Sequence, residues 1–269
     1  MSTFLERFKT TLEKKYLATQ ESVDLDTYIQ NKKIEITQSP FPHLTADNFF
    51  NNEIHSEIKK YFSSVFSRGL VENQDPNYFK PFIYKNSSRE YDGYLYTPRH
   101  NEDAILKTFF SNTWNLFFSN LFSQPTGICT SLALHYHPPG DKTGFVHHDF
   151  APKWFSALDT AGNNMLYRDR SEPVGINLTK QMRAITLIYY IDLDKNVWKE
   201  GDGGETGIYE KKDGEPVKLI TPKDNRLFAF QVSPHSFHAF QANQKPRASI
   251  IQWFHIDPAW CEKKYKTKS

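Results

Sequence analysis

Cysteine is nearly absent from this 269-residue chain. Only Cys129 and Cys261 occur, and neither sits in a C-x-x-C motif. That excludes a disulfide framework and a thiolate zinc site, and makes a reducing, cytoplasmic setting the expectation. Net charge is also lacking: 33 Lys and Arg against 31 Asp and Glu leave +2. Bulk electrostatics therefore favours neither nucleic acid nor a membrane surface as partner, and the partner has to be sought in a site. Long apolar runs are missing too, since "AITLIYYI" is far short of a membrane span. The opening "MSTFLERFKTTLEKK" mixes charges among its apolar residues and is not read as a secretory signal. The basic end "KKYKTKS" reads as a solvated, frayed terminus.

Aromatic residues are plentiful, with 22 Phe and 14 Tyr making most of a 15% share, which suits packed β-structure. A single domain over 1–269 is the simplest organisation: a mostly helical support region over 1–125, a β core over 126–260 and a basic tail over 261–269. Leu5, Phe8, Leu12 and Tyr16 fall at helical spacing. Asn51 or Asn52 can cap a helix carrying Ile54, Ile58, Tyr61, Phe62 and Val65 on one face. A further helix is expected from Glu102 to Phe122, where Ile105, Leu106, Phe109, Phe110, Leu116, Phe117 and Leu121 recur at period 3.6. After Thr126, short apolar runs ("SLALHYH", "AITLIYYI", "RLFAFQV", "RASIIQWFHI") alternate with turn clusters, which is strand and turn punctuation. The fold class expected is mainly β with flanking helices, as a sandwich or barrel. The polar, aperiodic segment over 151–182 reads as an insert or lid.

In "FVHHDF", a strand would put His147 and Asp149 on one face and His148 on the other, because side chains alternate with period two. His147 and Asp149 can then converge on one ion, and His148 is read as structural. His135 and His137 in "LHYH" also share a face, but they lack a carboxylate and run into "PPGD", so they read as exposed imidazoles at a strand end. Farther on, a histidine precedes Arg247 by nine residues, and Arg247 shares a strand face with Ser249, Ile251 and Trp253. A guanidinium among apolar neighbours needs an anion. Two histidines and a carboxylate that leave half an octahedral ion open describe the facial triad of non-haem Fe(II) and O2 chemistry; a chelating 2-oxo acid would fill open positions, its far carboxylate meeting the arginine. A zinc hydrolase could use the same ligands without needing that arginine, and a non-catalytic jelly-roll binding protein would leave them idle.

These residues together resemble the Fe(II)- and 2-oxoglutarate-dependent oxygenases, in particular their prolyl-4-hydroxylase-like branch. The resemblance rests on H-x-D at His147 and Asp149, on His238 in "SFHAF" and on Arg247 nine residues later before "SIIQWF". "TLIYY" and "GDGGETGIY" are similar to that branch's middle strands, and "PFPHLTADNFF" to its N-terminal approach. It covers chiefly residues 130–255 and implies a double-stranded β-helix, the jelly-roll or cupin-like core. It further implies Fe(II) held by His147, Asp149 and His238, with 2-oxoglutarate and O2 as cosubstrates. His238 is preferred to His235 by the family pattern and its spacing to Arg247. Arg247 would hold the far carboxylate of 2-oxoglutarate, with Tyr190 bonding the same group and Ser249 assisting. The double proline in "YHPPGDKTGFV" departs from a more glycine-rich family turn and leaves Tyr136 as a candidate pocket residue.

The implied chemistry is conversion of 2-oxoglutarate to succinate and CO2 with hydroxylation of an unactivated C–H bond. The carboxylate of Asp149 argues against halogenation, which needs its coordination position for halide. Arg168, Arg170 and Arg183, in or beside the 151–182 segment, could grip a substrate carboxylate. With no separate peptide- or nucleic-acid-binding module visible, the substrate expected is a small molecule such as an amino acid or natural-product intermediate. Hydroxylation of a peptide or protein is the alternative.

Overall fold

The computed structural model describes residues 23–69, 80–83, 92–96, 98, 102–127, 129–156, 165–167, 178–195 and 197–266. The helix expected from Leu5 to Tyr16, and Arg168 and Arg170, lie outside them. The larger sheet orders its antiparallel strands β1 (His43–Ala46), β10 (Arg226–Gln231), β7 (Leu178–Ile191), β12 (Arg247–Ile256), β4 (Cys129–His137), β3 (Asp92–Tyr96) and β2 (Lys80–Ile83). β5 (Pro152–Ser156) joins it on the first part of β7, and β6 (Met165–Tyr167) pairs with β5. The smaller sheet is β11 (Phe237–Phe240), β8 (Thr206–Tyr209) and β9 (Lys218–Ile220). The two sheets meet through Ile188, Tyr190, Phe228 and Phe230 on one side and Ile208 and Ile220 on the other. This is the expected double-stranded β-helix, mainly β with flanking helices.

Alternation decides what each face of the large sheet meets. On β4, Leu132, Leu134 and Tyr136 turn to a helical layer, as Leu187, Tyr189 and Ile191 do on β7 and Ala248 and Ile250 on β12. That layer holds α2 (Asn52–Phe66), which begins at Asn51, whose side chain accepts from Ile54 N at 2.9 Å. Its buried residues are the expected stripe of Ile54, Ile58, Tyr61, Phe62 and Val65. The one-turn α1 (Leu25–Tyr28) precedes β1.

The single helix expected over 102–122 is divided into α3 (Leu106–Phe110) and α4 (Asn112–Leu121). Ser111 is extended, at φ −72° and ψ 153°, and its hydroxyl accepts from Trp114 N at 3.2 Å. A serine able to cap outweighs a continuous apolar period here. The break seats Trp114 on Phe50, with ring centroids 5.6 Å apart, and lets its indole donate to Gln252 Oε1 at 2.9 Å.

Among the described residues of the first 125, β1, β2 and β3 belong to the main sheet and pair with β10, β4 and each other. The described parts of the 151–182 segment are strands: its polar residues continue a sheet in which β7 pairs first with β5 and then with β10. The tail begins inside α5 (Pro258–Tyr265), which Asp257 caps and which buries Cys261.

Candidate metal and cosubstrate site

His147 follows β4 and meets β11 as an isolated bridge, its N–H donating to His238 O at 3.0 Å and His238 N donating back at 2.8 Å. The strand expected around "FVHHDF" is reduced to this bridge. The bridge is enough to bring ligand atoms of His147, Asp149 and His238 within 4.8 Å of one another. His147 Nδ1 lies 2.9 Å from Phe145 O and His238 Nδ1 3.0 Å from Ser236 O. A carbonyl can only accept, so each Nδ1 carries the proton and each Nε2 keeps its lone pair, as a metal-ligating histidine requires.

Asp149 is buried and engaged through both oxygens. Arg183 Nη1 donates to Oδ1 at 2.6 Å, while Thr186 Oγ1 at 2.9 Å and Trp253 Nε1 at 2.8 Å donate to Oδ2. Burial alone would push its pKa up, but the charge of Arg183, joined by those of the two histidines once acid protonates them, outweighs burial and holds it well below the usual carboxylate range. Burial, aided by neighbouring His238, pushes His147 down to about 4, and burial lowers His238 too. Neutral imidazoles beside an ionised carboxylate are the protonation states a divalent cation takes, so these residues fit the metal the resemblance implies.

Arg183 reaches Asp149 because β7 is irregular. Opposite β12, Phe254 pairs with Ile185 but His255 pairs with Arg183, so Ala184 is the extra residue of a bulge. The bulge resets the alternation and puts Arg183 on the same face as Thr186, three residues away. The guanidinium also lies over the Trp253 ring, 4.3 Å from its centroid.

Arg247 is 3% exposed and has no ion pair among the described residues. It donates to Thr206 Oγ1 at 3.2 Å, lies over the rings of Tyr190 and Phe240, and among the described residues has no partner for Nε. A buried cation without an anion is costly, so this one fits an acid brought by a ligand. Arg247 and the three candidate ligands line one cavity of about 340 Å³. A cavity of this size suits a small dicarboxylate.

The other expected residues divide. Tyr190 is beside Arg247, its hydroxyl 2.7 Å from Thr206 Oγ1, and Ser249 is buried on β12 with no partner for its hydroxyl among the described residues. Tyr136 turns the opposite way, against Phe66 at 5.5 Å in the helical layer, because its position on β4 has the wrong parity for the cavity. Arg183 lines the cavity but is held by Asp149, and so does not stand ready for a substrate acid. His148 lines the cavity as well, contrary to the expectation that it faces away. His235 is exposed in the turn before β11. His135 and His137 are not exposed imidazoles: both are buried and line the cavity, since β4 is covered by its neighbours on that face. Thr186 and Thr206 were not singled out in the sequence; Thr186 could have been, having the parity of Tyr190.

Comparison with known proteins agrees with this geometry. A family model described as the 2OG-Fe(II) oxygenase superfamily matches residues 164–255. A prolyl 3,4-dihydroxylase of Ostreococcus tauri, OGFOD1, is 25% identical over 236 residues, 81% of this chain and 38% of that protein. The prolyl 3-hydroxylase OGFOD1 of Xenopus laevis is 40% identical over 65 residues, 22% of this chain and 13% of that one. The chain thus spans well under half the length of these curated relatives. Among solved structures, a Pseudomonas putida prolyl-4-hydroxylase superposes with TM-score 0.53 at 13% identity, covering 87% of this chain and 96% of that one. A Trichoplax adhaerens prolyl hydroxylase, in complex with a peptide fragment of the hypoxia inducible factor oxygen degradation domain, gives TM-score 0.55 at 14% identity, covering 100% and 98%. These relatives overturn the expected small-molecule substrate: the curated ones are prolyl hydroxylases, and this last one holds a peptide. No helix among the described residues is long and apolar enough to cross a membrane.

Proposed function

We infer that this chain, which belongs to the 2OG-Fe(II) oxygenase superfamily and is prolyl-4-hydroxylase-like, hydroxylates a prolyl residue within a peptide or protein. The observation that carries the chemistry is one cavity lined by two imidazoles, one carboxylate and, apart from them, a buried arginine with no acid partner among the described residues. The prolyl substrate is supported by the relatives, and its peptide setting by the peptide held in the Trichoplax structure. Bound Fe(II) with 2-oxoglutarate and O2 supplies the C–H oxidation. His147 and His238 would offer Nε2, oriented by the carbonyls at Nδ1. Asp149 would offer its carboxylate, kept ionised by Arg183 and steered by Thr186 and Trp253. Arg247, braced by Thr206 and beside the Tyr190 hydroxyl, would hold the far carboxylate of 2-oxoglutarate. A cytoplasmic location is part of the same proposal and agrees with the scarcity of cysteine.

The test is incubation with Fe(II), 2-oxoglutarate and a panel of proline-containing peptides beside free proline, with succinate and product mass measured together. The expected result is succinate matched by one oxygen added at a prolyl residue of a peptide. Oxygen added to free amino acids alone, or no succinate with any substrate, would refute the reading.

A further inference from the structure

Asp149 sits in a stretch of chain that belongs to no strand: His147 makes the isolated bridge to His238, and β5 begins only at Pro152. Arg183, Thr186 and Trp253 hold the carboxylate itself from the cavity side. Phe150, the next residue, packs instead against both apolar clusters, the one under the helical layer and the one between the sheets. Its ring meets that of Tyr265 edge-on, with 5.2 Å between centroids and 79° between planes.

Tyr265 is the last residue of α5, which follows β12 at once, capped by Asp257 and with Pro258 in its first turn. Its hydroxyl accepts from Gln231 Nε2 at 2.8 Å and donates to Val232 O at 3.1 Å. Burial pushes its pKa up to about 12, so the phenol keeps the proton it donates. Val232 leads from there to the metal ligands in two directions. Its N–H donates to Ala184 O at 2.8 Å, the extra residue of the bulge that brings Arg183 to Asp149. Farther along the chain, Ser236 Oγ donates to Ser233 O and accepts from Ser233 N, both at 2.9 Å. These bonds close the turn whose Ser236 carbonyl takes the Nδ1 proton of His238. One side chain therefore touches both ligand-bearing stretches, the ring at 147–150 and the hydroxyl at 231–238.

Resting on the metal site of the function proposed above, we propose that Tyr265 is a positioning residue that clamps the two ligand-bearing stretches together. Its ring fixes Phe150 and with it the backbone of Asp149. Its hydroxyl fixes Val232, and with it the bulge at Ala184 and the approach to His238. Ligands have to be held within roughly 0.5 Å of their working geometry, and a stretch outside any strand gains that precision from side chains packed behind it.

The test is titration of the full chain with Mn(II), followed by electron paramagnetic resonance, with circular dichroism at the same temperature showing each variant folded. Tyr265→Leu is expected to bind Mn(II) about tenfold more weakly than wild type, the usual cost of losing support behind a metal ligand. Tyr265→Phe, which keeps the ring on Phe150 but gives up both hydroxyl bonds, should fall between the two. The bound ion in Tyr265→Leu should also show an altered zero-field splitting, which reports ligand geometry and does not follow global stability. Asn51→Ala, a destabilised helix cap away from the site, should bind Mn(II) as wild type does. The proposal is overturned if Tyr265→Leu binds within about twofold of wild type, or if Tyr265→Phe is indistinguishable from either wild type or Tyr265→Leu. It is also overturned if Asn51→Ala weakens binding as much. Should Tyr265→Leu fail to fold, Phe150→Leu, which cuts the ring contact from the ligand side, must show the same loss, and its absence overturns the proposal. A wild-type protein that binds no Mn(II) would refute the metal site itself, and the clamp with it.

Discussion

Arg247 and Arg183 are both guanidiniums in one cavity, yet their surroundings assign them opposite tasks. Arg247 has no acid partner among the described residues, so on the proposed function Arg247→Ala should raise the dissociation constant for 2-oxoglutarate by a factor of roughly ten to a hundred while Fe(II) binding stays intact. Arg247→Lys should recover only part of this, because an ammonium cannot grip a carboxylate through two parallel bonds. Arg183 already has its acid. Its removal leaves Asp149 buried with fewer donors and a less defined orientation, so Arg183→Ala should weaken metal binding by about ten- to a hundredfold, measured by titration with Mn(II) followed by electron paramagnetic resonance. The buried setting of Arg247 was legible in the sequence, since it heads a run of alternating residues on one strand face. The setting of Arg183 was not. Strict alternation places Arg183 with Ile185 and Leu187 in the helical layer, and only the extra residue at Ala184 brings it to Asp149.

At the scale of elements, the strands were legible because apolar runs and turn clusters mark them out, and α2 because its stripe and its cap agree. Asn51→Ala should cost about 1 kcal/mol in chemical denaturation, the usual worth of an N-cap. Elements that depend on a distant partner were not legible: β1 and β3 are short and owe their strand form to the edges of β10 and β4, while β5 is read as loop until β7 is there to pair with it. Asn225 shows how such pieces are tied. It adopts a left-handed φ of 54°, accepts from Phe50 N at 2.9 Å and the Tyr189 hydroxyl at 2.8 Å, and donates to Phe50 O at 2.8 Å. Asn225→Ala removes three buried bonds and adds backbone strain, and should lower unfolding free energy by about 3 kcal/mol.

For the whole molecule, helix layer and sheet are also joined by charge. Asp224, just ahead of β10, pairs with His55 at 3.0 Å and Lys59 at 3.2 Å of α2 and accepts from Asp192 N at 2.8 Å. Burial pushes its pKa up, but His55, the Asp192 N–H and Lys59 outweigh burial and bring it from an ordinary 3.8 to about 2. A depressed carboxyl stabilises the fold fully above its unfolded value, and the contribution is lost as pH falls toward its folded one. Acid unfolding should therefore steepen as pH falls from about 4 to about 2, and Asp224→Asn should flatten that limb, followed by circular dichroism. No motif marks a peptide site apart from the cavity, which is why the sequence alone favours a small molecule and the relatives correct it.

On the proposed function, His147, Asp149 and His238 hold an iron to which a 2-oxo acid anchored by Arg247 binds. This is tested by anaerobic titration of the Fe(II)-loaded protein with 2-oxoglutarate. A metal-to-ligand charge-transfer band should appear and saturate, and in Arg247→Ala it should require a large excess of 2-oxoglutarate. Iron bound with full occupancy and no such band at saturating 2-oxoglutarate would contradict the claim.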